Sequence, residues 1–177
     1  MKTAAAAVHV VRRVLDDDGT YPNNARLPLL LYPAAVELPE NDSGRAFEEL
    51  FASHGWTGAW RNGIFGYHHY HSTAHEVLGV YGGSARVQLG GPRGPQFDIR
   101  SADVIVIPAG VAHKNLGADR DFRVVGAYPV GQGWDMKTGK TGERPRADRN
   151  LAAVELPALD PVFGHTGPLV RLWQAVR

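Results

Sequence analysis

From Ile64 to Tyr128 the chain is written in period two and cut repeatedly by turn residues, which leaves little choice of architecture. Glu76, Leu78 and Val80 alternate with Val77, Gly79 and Tyr81. Gly82-Gly83 reads as a hairpin turn, after which Ala85, Val87 and Leu89 continue the alternation. Gly90 to Pro95 is a second turn and Phe97 to Ile99 a short strand. Val104 to Ile107 is a β-branched run ended by Pro108, and Phe122 to Tyr128 is the last clear strand. Short strands at spacings of about 8–12 residues describe a sandwich or a barrel. Gly 21 and Pro 12 in 177 residues argue against a helical bundle.

The flanks are less regular. Leu29 to Tyr32 reads as a short strand. Phe47, Leu50 and Phe51 recur at i, i+3 and i+4, so one helix is expected near Arg45 to His54, capped by Ser43 and ended by Gly55. Beyond Pro129 the chain is rich in Gly, Pro and charge, and reads as loop wrapping the barrel, with a short element at Val170 to Val176. The expectation is one all-β domain: a strand and helix extension over 1–55, a barrel core over 56–130 and an irregular C-terminal wrap over 131–177.

Several function classes fall away. With no cysteine there are no disulfides, thiolate metal sites or thiol nucleophiles. Lys+Arg 19 against Asp+Glu 18 offers no bulk charge for nucleic acid or an anionic membrane. The longest apolar stretch, Leu27 to Val36, is broken by Pro28 and Pro33 and is too short to span a bilayer. A lysine and alanine run at Met1 to Val11 resembles a leader, but His9, Arg12 and Arg13 interrupt it, so a cytoplasmic location is expected. Gly90-Gly91-Pro-Arg-Gly94 lacks the lysine and helix of a phosphate cradle. No G-x-S-x-G elbow is present.

Histidine is the unevenly used residue. His69 and His71, two apart, share one face of an extended segment. Glu76 opens the next strand, and His113 follows the Pro108-Ala-Gly110 turn after a buried strand. Two imidazoles, a carboxylate and a distant third imidazole form a chelate of N and O donors suited to Fe, Mn, Ni, Co, Cu or Zn. His75 competes with Glu76, because adjacent side chains of a strand face opposite ways. His68 should face outward. Tyr67, Tyr70 and Tyr81 could reach a cavity mouth or pack between sheets, Lys114 or Asn115 could face the interior, and Arg61 or Arg144 could hold an anionic substrate or be solvated. Trp56 and Trp60 read as structural.

These residues resemble the cupin superfamily. Its first motif, G, five residues, H-x-H, four residues, E, six residues, G, is matched at Gly63, His69, His71, Glu76 and Gly83. The second, G, five residues, P-x-G, two residues, H, three residues, N, is matched at Pro108, Gly110 and His113. It departs at Ala102, in the place of the leading glycine, and at Gly117, with an asparagine two residues earlier at Asn115. Tyr67 to Tyr81, Ile107 to Asn115 and Gly142-Glu-Arg-Pro145 are similar to the YjlB-like bacterial cupins, over roughly residues 45 to 165. The resemblance implies a small jelly-roll barrel with the metal inside, and it selects Glu76 over His75.

Three imidazoles and a carboxylate leave about two octahedral positions open, which favours chemistry over scaffolding. The expectation is one divalent ion per chain (Fe, Zn, Mn or Ni) and an enzyme, oxygenase-like by preference, acting on a small polar or carboxylate metabolite. A non-catalytic ligand or metal receptor and a sugar-isomerase type are the alternatives. A homodimer through edge strands is the default, with neither nucleic acid nor membrane as partner.

Overall fold

The computed structural model describes residues 9–176, and the alanine run of the leader-like start lies outside them. In chain order the elements are β1 (Val11–Leu15), β2 (Asn24–Tyr32), α1 (Ser43–Ser53), β3 (Trp56–Asn62), β4 (Glu76–Gly82), β5 (Ser84–Leu89), β6 (Gln96–Arg100), β7 (Val104–Ile107), β8 (His113–Ala118), β9 (Arg123–Pro129), α2 (Arg146–Ala153) and α3 (Pro168–Gln174). A six-stranded sheet runs β1-β2-β7-β4-β9-β3 and a three-stranded sheet β6-β5-β8. All the strand pairs are antiparallel. This is a small jelly-roll sandwich. Among the described residues no helix is long and apolar enough to cross a membrane.

The central strands β7, β4 and β9 of the larger sheet are buried on both faces, which explains the apolar run of β7. Leu78 and Val80 of β4, Ile105 and Ile107 of β7, and Val87 and Leu89 of β5 fill the space between the sheets. The alternate residues Val77, Val104, Val106 and Val125 face outward, where Phe47 and Phe51 of α1 and Trp173 of α3 cover them. Gly79 admits the Phe47 ring, since a Cβ there would stand 2.6 Å from it. Burying such side chains contributes about 1.5–3 kcal/mol each relative to exposure.

Three expectations are corrected. Asp42, not Ser43, caps α1, its Oδ1 accepting the Arg45 N–H at 3.1 Å, while Ser43 is already helical. Gly82-Gly83 is not a hairpin: β4 pairs with β7 and β9, and β5 pairs with β6 and β8. There the chain crosses from one sheet to the other. Gly83 has φ +62°, and a Cβ on it would lie 2.6 Å from the Phe122 nitrogen. Alternation and paired glycines look the same for a hairpin and for such a corner. Finally, the C-terminal wrap is more regular than expected: the short element read at Val170 to Val176 is α3, and α2 precedes it. Helices of eight and seven residues are too short to display an apolar stripe. In α3 the start is set by Pro168, and Leu169 and Trp173, four apart, are both buried.

The departure from the second motif has a conformational consequence. Ala102, in the place of the motif glycine, has φ +80°. Its N–H donates to the Val80 carbonyl at 2.9 Å, and its own carbonyl accepts from Ala35 at 3.0 Å, so the turn is held on both sides. A left-handed non-glycine residue costs about 1–2 kcal/mol. Ala102→Gly is therefore expected to stabilise the protein, by less than about 1 kcal/mol once the greater freedom of glycine in the unfolded chain is counted. A urea midpoint equal to or below that of the parent would contradict this.

Candidate metal centre

His69 and His71 lie in an extended segment outside the named strands, yet the alternation survives. The His69 N–H donates to the His113 carbonyl at 3.2 Å and the His113 N–H donates back at 2.9 Å. Tyr70 exchanges two bonds with Lys137, both 2.9 Å, and the Gly110 N–H donates to the His71 carbonyl at 2.8 Å. The first histidine segment is thus zipped to the residues around His113. Tyr70 turns the other way, its ring edge-on to Tyr21 at 6.1 Å and its hydroxyl donating to Glu143 at 3.1 Å.

The ring nitrogens of His69, His71 and His113 come together within 4.8 Å of one another, and all three side chains are buried. Glu76, 2% exposed, places Oε2 at 3.4 Å from His71 Nε2 and 3.2 Å from His113 Nε2. Each Nδ1 is already used by a main-chain carbonyl: Tyr67 for His69 at 3.0 Å, Val111 for His113 at 3.1 Å, and Asp135 for His71. A carbonyl can only accept, so each Nδ1 carries the proton, and in the neutral ring each Nε2 presents a lone pair. Three nitrogen lone pairs and a carboxylate then face one small volume as acceptors, an arrangement suited to a cation. These residues fit a divalent metal by donor type and by the outer bonds that orient them.

The electrostatics agree. Burial pushes His69 down to about 3, so it is neutral. For His71 burial acts downward, but the Glu76 charge and its hydrogen bond outweigh it and raise the pKa. Desolvation alone would raise Glu76, yet His71 and His113 hold it below the usual carboxylate range.

Other side chains complete the setting. Tyr128 donates its hydroxyl to Glu76 Oε1 at 3.1 Å and accepts from Trp60 Nε1 at 2.8 Å. Asp135 accepts the Ser72 N–H and hydroxyl, both at 2.6 Å, and so secures the loop whose carbonyl orients His71. Trp134 lies edge-on to His71 and stacks on Tyr128, with centroids 5.7 and 6.0 Å away. A cavity of about 210 Å³ opens from the four residues to solvent. Larger grooves of about 940 and 680 Å³ lie against the C-terminal wrap, and neither contains His69, His71, Glu76 or His113.

The remaining expected residues are distributed unevenly. His75 is turned away from the cluster: its Nδ1 accepts from the Ala109 N–H at 2.9 Å and its ring packs on Trp173 at 4.7 Å. Burial lowers it to about 3. Tyr67 does not line the cavity; it stacks on Phe65, which does, at 5.0 Å and lies edge-on to His69 at 5.7 Å. Tyr81 packs on the outer face of the sheet, on the opposite phase of β4 from Glu76. Lys114 and Asn115 sit on β8 beside His113 but do not line the cavity. Arg61 does line it, but its guanidinium is bound to Glu48 at 2.7 and 2.8 Å and to Asp42 at 2.9 Å. Arg144 is committed to Asp17 and Asp148. His68 leans on Tyr21 at 5.6 Å. Trp60, expected to be structural only, is a cavity wall. Tyr128, Trp134 and Asp135 carry no local sequence signal, because each meets its partner (Glu76, His71 and Ser72) across more than fifty positions of the chain.

No family model matches the chain. It is 45% identical over 157 residues to the uncharacterised protein YjlB of Bacillus subtilis, covering 89% of this chain and 92% of that one. Among solved structures, it is similar to acireductone dioxygenase from Bacillus anthracis with a cadmium ion in its active centre. That likeness has 14% identity, TM-score 0.41, and covers 72% of this chain and 82% of the other. It is also similar to RmlC of Streptococcus suis in complex with dTDP-D-xylose, at 13% identity and TM-score 0.38 over 96% and 94% of the two chains. At such scores these two likenesses carry nothing about activity. Identity to YjlB sustained along the chain, with both histidine motifs in place on a jelly-roll sandwich, makes this protein a member of the YjlB family of cupins.

Proposed function

We propose that the protein binds one divalent metal ion through His69, His71, Glu76 and His113 and uses it as an enzyme on a small molecule, with oxygenation the favoured reaction type. The observation that carries the proposal is the use of all three Nδ1 atoms by carbonyls, which leaves four converging acceptors and no donor among them. Bound there, a metal supplies Lewis acidity or, if it is iron, access to O₂ chemistry. The protein's own contribution is to hold Glu76 through Tyr128, to aim His71 through the Asp135 carbonyl, and to shelter the site with aromatic walls.

Oxygenation is favoured over isomerisation by the shortage of groups that could move a proton. Beyond the four proposed ligands, the titratable side chains lining the cavity are Arg61 and Tyr128. Arg61 is held by carboxylates, and the Tyr128 hydroxyl already donates and accepts. Burial and the Glu76 charge also raise the Tyr128 pKa. An epimerase or isomerase needs a base or acid beside its substrate.

The test is elemental analysis of untagged protein purified without chelator, followed by O₂ uptake with the loaded protein. About one metal per chain is expected. Iron with substrate-dependent O₂ uptake supports the full reading. Stoichiometric zinc or manganese with proton exchange into phosphosugars would replace oxygenase by isomerase. A bound ligand recovered unchanged after long incubation with metal and air would make the protein a receptor. The homodimer belongs to the same proposal, and a sedimentation mass of one chain would overturn it.

A further inference from the structure

We infer that the cavity selects a molecule with a flat apolar body and oxygen donors confined to one end, of the ortho-dihydroxyaromatic class, and discriminates against sugar phosphates and small hydrophilic acids. This rests on the metal reading above.

Size is the first argument. An apolar cavity of about 150 Å³ holds benzene. The cavity here, about 210 Å³ and open to solvent, has room for one ring with a few substituent atoms against the four acceptors.

The walls are the second argument. Trp60, Phe65, Leu78, Tyr128, Trp134 and Met136 surround the acceptor cluster. Tyr128 and Trp134 are inclined by only 23°, which gives one side of the cavity a flat aromatic face. At the mouth Phe65, Trp134 and Met136 are 46%, 51% and 38% exposed, an apolar rim that a ligand body would cover.

The third argument is the shortage of free polar groups: among the described lining side chains outside the histidine and Glu76 cluster, only the Asn62 amide N–H and the Trp134 indole N–H stand without a partner. The Trp60 indole N–H and the Tyr128 hydroxyl are bonded to each other, and the hydroxyl is also bonded to Glu76. Asn62 Oδ1 accepts from the Gly63 N–H at 2.8 Å, and the Arg61 guanidinium is paired. A sugar would bring more hydroxyls than these partners can satisfy, and each buried polar group left unpaired weakens binding. Nor is there a free cation among the described lining residues for a phosphate. Three neutral imidazoles and one carboxylate around a divalent ion leave a single positive charge, which suits a neutral or monoanionic chelate.

The experiment uses full-length protein of measured metal content, zinc-loaded and anaerobic so that nothing turns over. Binding of 4-methylcatechol, lactate and fructose 6-phosphate is followed by calorimetry and tryptophan fluorescence. The expected order has 4-methylcatechol at least about tenfold tighter than lactate, since its ring adds aromatic contacts on top of the apolar area that it buries. Fructose 6-phosphate binds weakest. Trp134→Ala at equal metal loading should lose about tenfold for 4-methylcatechol and leave lactate within about threefold. Should that variant not fold, Phe65→Ala makes the same comparison from the rim. Lactate as tight as 4-methylcatechol, fructose 6-phosphate tightest, or no binding of any probe to fully loaded protein each overturns the inference and leaves the metal site standing. Failure to hold metal at all overturns the metal reading, and this inference with it.

Discussion

His71→Ala/His113→Ala protein is expected to emerge from purification without metal, whereas the parent carries about one ion per chain. The doubly changed cluster keeps only His69 and Glu76 as donors, too few for a structural or a catalytic site. The backbone at His113 should survive the change, because its pairing with His69 uses main-chain groups alone. Glu76 will not be indifferent: it loses both histidine partners and keeps only the Tyr128 hydroxyl. Breaking a buried charge pair costs about 3–5 kcal/mol, so the double variant should also melt early. His69→Ala separates the two effects. The close contacts of Glu76 are to His71 and His113, so removing His69 takes away a donor and leaves that pair intact. His69→Ala should therefore lose most of its metal at near-parental stability. Metal content unchanged by either substitution, measured by elemental analysis on folded protein, would remove the four-residue site from consideration.

The second large effect is expected far from the metal, at Asp160. This carboxylate is fully buried and accepts four hydrogen bonds: from the Tyr32 hydroxyl at 2.8 Å and from the backbone of Val162, Phe163 and Leu169 at 2.8, 3.0 and 3.0 Å. It ties the first turn of α3 and the turn at 160–164 to β2. Trp173 then lies over the outer core with its indole N–H on the Pro28 carbonyl at 2.9 Å. Asp160→Ala would strand several buried donors together, each costing about 1–3 kcal/mol, so a loss of at least about 3 kcal/mol is expected by urea denaturation. Tyr32→Phe deletes one of the four bonds and should cost about 1 kcal/mol. Similar losses for the two variants, or a loss below about 1 kcal/mol for Asp160→Ala, would mean that the wrap is fastened elsewhere. Asp160-Pro161 announces a turn, and three of the four donors are local, but nothing near Asp160 in the chain announces its tie to β2. Its partners are separated from it by as many as 128 positions.

That contrast runs through the whole molecule. The period-two pattern of β4 and β5, the apolar run of β7, the stripe of α1 and the His69/His71 spacing could all be read in advance. Each is a property of consecutive backbone dihedrals, and extended chain puts alternate side chains on one face wherever it is placed. The same rule holds Glu76 and His75 on opposite faces, and Tyr81 on the face away from Glu76. Donor type, and with it the class of metal, follows from residue identity alone. Partners do not. Whether Gly82-Gly83 closes a hairpin or turns a corner between sheets is decided by β7 and β9 flanking β4, and local alternation is indifferent to that choice. Arg61 offered the same guanidinium to a substrate or to a protein carboxylate, and the nearness of Asp42 and Glu48 around α1 settled it. Tyr128, Asp135 and Trp134 gained their roles only when β9 and the loop after it were laid beside the histidine segment. The chain's covalent order therefore specified which way each side chain points and what it can donate, while long-range packing alone decided what stands opposite it.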